Sequence, residues 1–298
     1  MLNVKTILVV GAGLMGSGIA QTAAEAGFKV YLNDVADTFI NKGIYGITER
    51  WESKLKKGKI DADTLEKYKS NLNAAPDYAV IADEIDMVIE AASEKLEIKE
   101  SIFRKVSEIV REDVVIASNT SSISISKLAS FVKKPENFIG THFFSPVPVM
   151  KLLEVIPGIK TNDETYKTAL AVGEKLGKVC ITSKDSAGFI VNRLLDPMLN
   201  EAIRMLDEGV GTVEDIDNGT KYGLGHPMGP FELLDMAGID IECAVMNVMH
   251  GQTGNPYFTP SPLLTKMVES GMIGRKAGIG FYVYNEDGTK EVNPAFKK

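Results

Sequence analysis

Cysteine, histidine and tryptophan are scarce in this chain: 298 residues hold two cysteines, three histidines and one tryptophan. Cys180 and Cys243 are far apart and form no Cys-x-x-Cys pair. A disulfide framework and a thiolate zinc site are thereby excluded, and a reducing compartment is expected. No apolar run approaches the ~20 residues that span a bilayer, and the amino-terminal MLNVKTILVVGAG has too short an apolar segment for a secretory layout. Nor is positive charge in excess. Against 33 basic residues stand 40 acidic ones, net −7, which excludes a nucleic-acid or membrane-surface partner recognised through bulk basic charge. A soluble, cytoplasmic protein is the expectation.

What is present is ordinary globular material, 44% apolar and 24% charged. The length predicts about two domains, each large enough to bury a core without staples. Short apolar runs alternate with helical patterns through the first half, as in a parallel α/β sheet. Strands are predicted over residues 6–10, 28–33, 85–91, 114–117, 138–142, 152–156 and 179–182. Helices are predicted over residues 15–26 and 97–110, with a charged helix pair inserted over residues 37–71 and divided at Gly58 and the Asp61/Asp63 turn. After Lys184 the pattern changes: Ile190, Leu194, Met198, Ala202 and Leu206 recur every four residues, a helical stripe. Pro197 inside it predicts a kink, and a further strand-like run covers residues 280–284. The fold class is therefore α/β, Rossmann-like and doubly wound, with domains at 1–184 and 185–298.

Gly11-Ala12-Gly13-Leu14-Met15-Gly16 follows the first predicted strand and opens a helix. The first glycine permits the tight turn, the second lets backbone approach a pyrophosphate, and the third lets helix pack on strand. Asp34 ends the second strand, 23 residues past Gly11, where it accepts from ribose hydroxyls. The alternative for Asp34 is capping of the next helix. Residues 35–37, Val-Ala-Asp, offer no arginine for a 2′-phosphate. NAD is thus favoured, with NADP not excluded.

His142 closes the predicted strand 138–142, and Glu154 follows twelve residues later in the strand 152–156. The Pro146-Val147-Pro148 turn between them suits a chain folding back, which sets the carboxylate against the imidazole. Such a pair accepts a proton from an alcohol as hydride leaves its carbon. Downstream of strand 114–117, Ser118-Asn119-Thr120-Ser121-Ser122 projects toward the same strand ends; Ser121 there either binds a substrate oxygen or caps a helix. Asn192 lies off the helical stripe, turned either to a ligand or to solvent. Lys54, Lys56, Lys57 and Lys59 with Arg50 make a basic run that is either a solvated helix face or a phosphate-binding rim. His226 and His250 fit structural places in a turn and at a helix end.

With these residues assembled, the chain resembles the 3-hydroxyacyl-CoA dehydrogenase family. The stretches VVGAGLMGSGIAQ, IASNTSSISI, GTHFFSPVPVMKLLEV, DSAGFIVNRLL, HPMGPFELLDMAGID and GRKAGIGFY carry the likeness through both predicted domains. The resemblance implies an NAD-dependent enzyme acting on an (S)-3-hydroxyacyl-CoA, with His142 as general base and acid and Glu154 as its partner. It implies that Ser121 and Asn192 contact substrate, that Glu94, Lys99 and Asn119 line the cofactor site, and that the lysine-rich insertion meets CoA. Which of Lys54, Lys56 and Lys57 does so stays open. A homodimer built through a helical second domain is likewise implied. Without the resemblance, a dehydrogenase of a small sugar acid or hydroxy acid lacking CoA, and a non-catalytic NAD-binding protein, fit the same residues.

Overall fold

The computed structural model describes residues 2–297, and the chain divides into two compact units, Met1–Phe189 and Ile190–Lys298. In the first unit β1 (Thr6–Val10) leads through α1 (Leu14–Glu25) to β2 (Lys29–Asn33). The insertion follows as α2 (Asp37–Lys56) and α3 (Ala62–Asn71), ending in the three-residue β3 (Leu72–Ala74). Then come β4 (Met87–Glu90), α4 (Leu96–Ile109), β5 (Val115–Ser118), α5 (Ile125–Ala129), β6 (Phe138–Phe143), β7 (Leu152–Pro157), α6 (Asp163–Lys175) and β8 (Val179–Thr182). The eight strands form one sheet in the order β3-β2-β1-β4-β5-β6-β7-β8. All neighbours run parallel except β6 and β7.

The sequence of β1, TILVV, explains why both faces are covered. Every residue of it is buried, as in a parallel sheet clad in helices on both sides. Ile7 and Val9 pack with α1 residues Ile19, Ala20 and Ala23 in one layer. Leu8 and Val10 pack with Phe103 and Val106 of α4 in the other. Each such aliphatic or aromatic side chain contributes roughly 1.5–3 kcal/mol of burial energy. The carboxyl ends of β1, β2, β4, β5 and β6 consequently share one edge of the sheet, where ligands of open α/β sheets gather.

The second unit contains α7 (Val191–Asp207), α8 (Val213–Asn218), α9 (Pro230–Ala237), α10 (Ile239–Thr253) and α11 (Pro262–Glu269), closed by a hairpin of β9 (Tyr282–Tyr284) and β10 (Lys290–Val292). The helix α7 is assigned without a break through Pro197. Two buried aspartates bolt the hairpin to the helices. Asp217 accepts from Phe231 N at 2.8 Å and from the Tyr282 hydroxyl at 2.6 Å. Asp235 accepts from Phe281 N and Tyr282 N, both at 2.9 Å, and from the Tyr284 hydroxyl at 3.0 Å. No helix among the described residues is long and apolar enough to cross a membrane.

Asp196 of α7 and Glu242 of α10 are the contrast. They are 5% and 7% exposed, and Asp196 Oδ2 and Glu242 Oε1 have no hydrogen-bond partner among the described residues. Burial pushes both carboxyls well above the ordinary range, and the charge of Asp196 raises Glu242 further. An acid whose folded-state pKa is raised stabilises the fold fully below its unfolded pKa and loses that contribution as pH climbs through the folded value. Unfolding free energy of the helical unit is therefore expected to fall toward alkaline pH, by about 1.4 kcal/mol per pH unit wherever the folded state holds one extra proton. Denaturant unfolding from pH 5 to 9 checks this; Asp196→Asn should flatten the slope, and an unchanged slope in that variant contradicts the assignment.

Candidate active site

The glycine loop owes its shape to close approaches that only glycine permits. Gly11 has φ +108°, and a Cβ there would lie 2.6 Å from the Ala91 carbonyl oxygen. A Cβ on Gly16 would lie 1.7 Å from the Gly11 carbonyl oxygen, so helix and strand pack backbone to backbone. Gly13 differs: nothing lies within 4 Å of its Cβ position. It is the N-cap of α1, where no side chain caps the helix and no acidic residue stands in the first turn. Uncapped N–H groups, a positive helix end and open space beside Gly13 fit a pyrophosphate.

Asp34 joins this loop. Its Oδ2 accepts from Ala12 N at 2.6 Å and its Oδ1 from Val35 N at 2.7 Å. The N-cap of α2 is Ala36, with no side-chain cap, so Asp34 is tied to the glycine loop rather than spent on the next helix.

The antiparallel step between β6 and β7 sets His142 directly opposite Glu154. Side chains opposed across such a ladder leave the same face of the sheet. His142 Nδ1 lies 2.7 Å from Glu154 Oε2, and the pair is enclosed: His142 is 6% exposed and Glu154 fully buried. A carboxylate accepts only, so Nδ1 carries the proton and donates, which leaves Nε2 of the neutral ring as a proton acceptor. Phe144 and Phe189 pack on the imidazole with centroids at 4.5 and 5.7 Å. Asn119 fixes the end of β6 by accepting from Phe143 N at 2.9 Å. The chain between β6 and β7 is held by Lys178, whose buried ammonium donates to the carbonyls of Val147 and Met150.

At the turn after β5, helix capping falls to Ser124, which accepts from Lys127 N. Ser121 instead donates its amide to Glu94 Oε1 at 2.9 Å, with its hydroxyl at 3.4 Å from the same oxygen. Lys99 is 1% exposed and ion-paired to Glu90 and Glu94. Glu90 was not singled out from the sequence; its signal is a charged residue closing the apolar run Met87–Glu90, fully buried.

Of the basic run, Lys54 pairs with Glu25 at 2.7 Å, whereas Lys56, Lys57 and Lys59 are exposed. Asn192 lies in the first turn of α7, in the second unit. Among the described residues no group of three or more His, Cys, Asp or Glu side chains could hold a metal.

Comparison with known proteins follows both units. A family model described as "3-hydroxyacyl-CoA dehydrogenase, NAD binding domain" matches residues 6–186. One described as "3-hydroxyacyl-CoA dehydrogenase, C-terminal domain" matches residues 188–284. A probable 3-hydroxybutyryl-CoA dehydrogenase of Deinococcus radiodurans is 46% identical over 277 residues, covering 93% of this chain and 99% of that protein. A 3-hydroxybutyryl-CoA dehydrogenase of Bradyrhizobium diazoefficiens is 45% identical over 281 residues, 94% and 96% of the two chains. The crystal structure of (S)-3-hydroxybutyryl-CoA dehydrogenase from Ralstonia eutropha superposes with a TM-score of 0.93 at 43% identity, over 95% of this chain and all of that one.

Gly13 offers a clean test of the loop. Gly13→Ala meets no atom in the protein, so its melting temperature should stay within about 2 °C of the parent, the shift of a surface change below ~0.5 kcal/mol. Its affinity for NADH, read by fluorescence titration, should fall at least tenfold because the new methyl occupies the space open to phosphate. Unchanged affinity would remove the pyrophosphate from this turn.

Proposed function

The chain belongs to the 3-hydroxyacyl-CoA dehydrogenase family, and from that premise we propose that it interconverts an (S)-3-hydroxyacyl-CoA, 3-hydroxybutyryl-CoA in the first instance, and the 3-oxoacyl-CoA with NAD(H). The observation that carries the reading is the enclosed His142–Glu154 pair at the sheet edge that holds the glycine loop. The 46% and 45% identity to relatives named as 3-hydroxybutyryl-CoA dehydrogenases supports the C4 substrate.

The loop from Gly11 to Gly16 and Asp34 would hold NAD(H), which when bound would supply the exchange of hydride with the substrate's C3. The residues of the chain do the rest. In oxidation, Nε2 of neutral His142 takes the C3 hydroxyl proton. In reduction, the imidazolium returns it to the oxygen. Glu154 keeps Nδ1 protonated throughout and offsets the positive charge that forms on the ring, the role an orienting carboxylate plays beside a catalytic histidine. Ser121 and Asn192 hydrogen-bond the substrate oxygens, which fixes the reacting carbon and supplies part of the rate through orientation. Glu94, Lys99 and Asn119 shape the cofactor side, and the lysine-rich end of α2 binds the phosphates of CoA, with Lys56 and Lys57 the exposed candidates and Lys54 partly committed to Glu25.

The first unit is the NAD-binding domain and the second the substrate and dimerisation domain. An apolar groove of about 600 Å³ on the second unit, lined by Leu194, Pro197, Met198, Met205, Leu224 and Tyr257, supports a homodimer, since monomers rarely leave large apolar patches uncovered. Two free thiols support a cytoplasmic setting.

Absorbance at 340 nm with acetoacetyl-CoA and NADH tests the reaction, and sedimentation at micromolar protein tests the dimer. His142→Gln should lower kcat by about 10²–10⁴ while the NADH dissociation constant moves less than threefold. Near-normal turnover in that variant, or turnover only with a free hydroxy acid, would overturn the assignment.

A further inference from the structure

Among the described residues one side chain other than glycine stands in the left-handed region of backbone space: Phe189, at φ +49°. Gly188 before it is left-handed too, at φ +72°. Glycine adopts that conformation without steric cost, whereas a bulky side chain at positive φ is an outlier. Such strain persists only where the surroundings impose it, and it gathers at sites where a side chain has to be aimed.

The surroundings of Phe189 do impose it. Upstream, Asp185 is tied to the start of α5, accepting from the Ser124 hydroxyl at 2.9 Å, Ile125 N at 2.9 Å and Ser126 N at 2.7 Å. The Phe189 amide donates to the Ser186 carbonyl at 2.9 Å, which closes a turn over residues 186–189. The side chain lies in the buried layer of Ile116, Ile125, Phe138 and Ile156 and is 4% exposed. His142 leaves β6 on the same face as Phe138, four residues earlier on that strand. The strained backbone therefore delivers an aromatic ring to the imidazole, with centroids 5.7 Å apart and planes at 57°.

Phe144 bears on the same imidazole from 4.5 Å, its plane tilted by 52°. The rings matter because hydrogen bonding holds the imidazole at one corner: among the described residues its polar partner is Glu154, at Nδ1. One bond at Nδ1 leaves the opposite corner, Nε2, free to swing, and Nε2 is the atom that must face the substrate oxygen. Ring walls remove that swing through many small contacts, and they add no polar group that competes for Nε2.

We propose that Phe189 is a positioning residue of this dehydrogenase: its left-handed backbone sets an aromatic wall against His142, and the wall fixes the aim of Nε2. The ring itself takes no part in proton transfer. Volume alone does not demand this arrangement. Phe103 of α4 and Phe138 of β6 fill the same layer from ordinary helix and strand backbone, and pair edge to face with each other at 4.9 Å. For its effect on turnover the proposal rests on the reaction assigned above; for its effect on the imidazole it does not.

The test compares Phe189→Leu with two other variants. Phe103→Leu trims a fully buried ring of the same layer that is not paired with the imidazole, and Phe189→Tyr keeps the ring at the site. The readouts are the order parameter of the His142 Cε1–H bond in ligand-free protein by carbon-13 relaxation, the melting temperature, and kcat and KM with acetoacetyl-CoA and NADH. In the parent the bond should be rigid, with an order parameter of about 0.85, and in Phe189→Leu it should fall below ~0.6. In that variant kcat should drop about ten- to a hundredfold, the cost of a misplaced catalytic group, while both KM values stay within threefold. Phe103→Leu should lose at least as much melting temperature yet keep the order parameter and kcat of the parent, and Phe189→Tyr should keep both as well. If Phe189→Leu does not fold, Phe189→Met, closer in volume and without a ring, takes the same readings. An imidazole as rigid without the ring as with it, a kcat loss equalled by Phe103→Leu, or a loss confined to KM would each overturn the proposal. Silence of the parent with acetoacetyl-CoA would strike the assigned reaction instead, and leave the order parameter to decide the positioning role.

Discussion

Everything at this site depends on one contact, the 2.7 Å approach of His142 Nδ1 to Glu154 Oε2. An imidazole alone at a strand end has two tautomers and two faces. A carboxylate directly across the ladder selects one tautomer and points the other nitrogen outward. The contact exists because the sheet reverses once. Strands β1 to β6 run parallel, and the antiparallel entry of β7 sets Glu154 opposite His142 across the ladder. A parallel β7 reached through a helical crossover would have placed its residue 154 elsewhere. The reversal is thus what brings the two side chains together.

The remaining polar groups at the sheet edge follow a shared rule: charge is buried only where it is matched. The buried Glu90 and Lys99 match each other, and even the less covered Glu94 and Asp34 are matched, by the turn Glu94 gathers and by Ala12 and Val35. In the second unit Asp217 and Asp235 obey the rule and Asp196 and Glu242 break it. The latter two persist because a protonated carboxyl is far cheaper to bury than a carboxylate. One unit therefore carries a preorganised charge network, and the other carries a pair whose matching partner is a proton.

How much of this was legible in the sequence divides along physical lines. Residues 6–10 and 179–182 were read as strands with the ends the structure has, because their apolar runs stop at glycine or at polar residues. The helix pair of the insertion was legible through Gly58 and the Asp61 cap, which accepts from Thr64 N. The family and its activity class were legible through long motif stretches, and both units match that family. The three-residue β3 was not legible, because an edge strand that short has no pattern of its own and exists through its pairing with β2. The burial of Lys99 escaped for another reason. A lysine in an amphipathic helix is read as solvated, and only the fold brings Glu90 from β4 underneath it. Capping stood as one of two alternatives for Ser121, and it is Ser124, three residues on, that does that work.

The tautomer of His142 in the protein without ligands is the most direct measure of the central contact. With only three histidines in the chain, nitrogen-15 labelling of the imidazoles and comparison with a His142→Gln sample assign its two ring resonances. At a pH where the ring is neutral, the account requires Nδ1 at the frequency of a protonated nitrogen and Nε2 at that of an unprotonated one, with the pattern lost in Glu154→Gln. A ring found protonated at Nε2, or exchanging evenly between both tautomers, would contradict it.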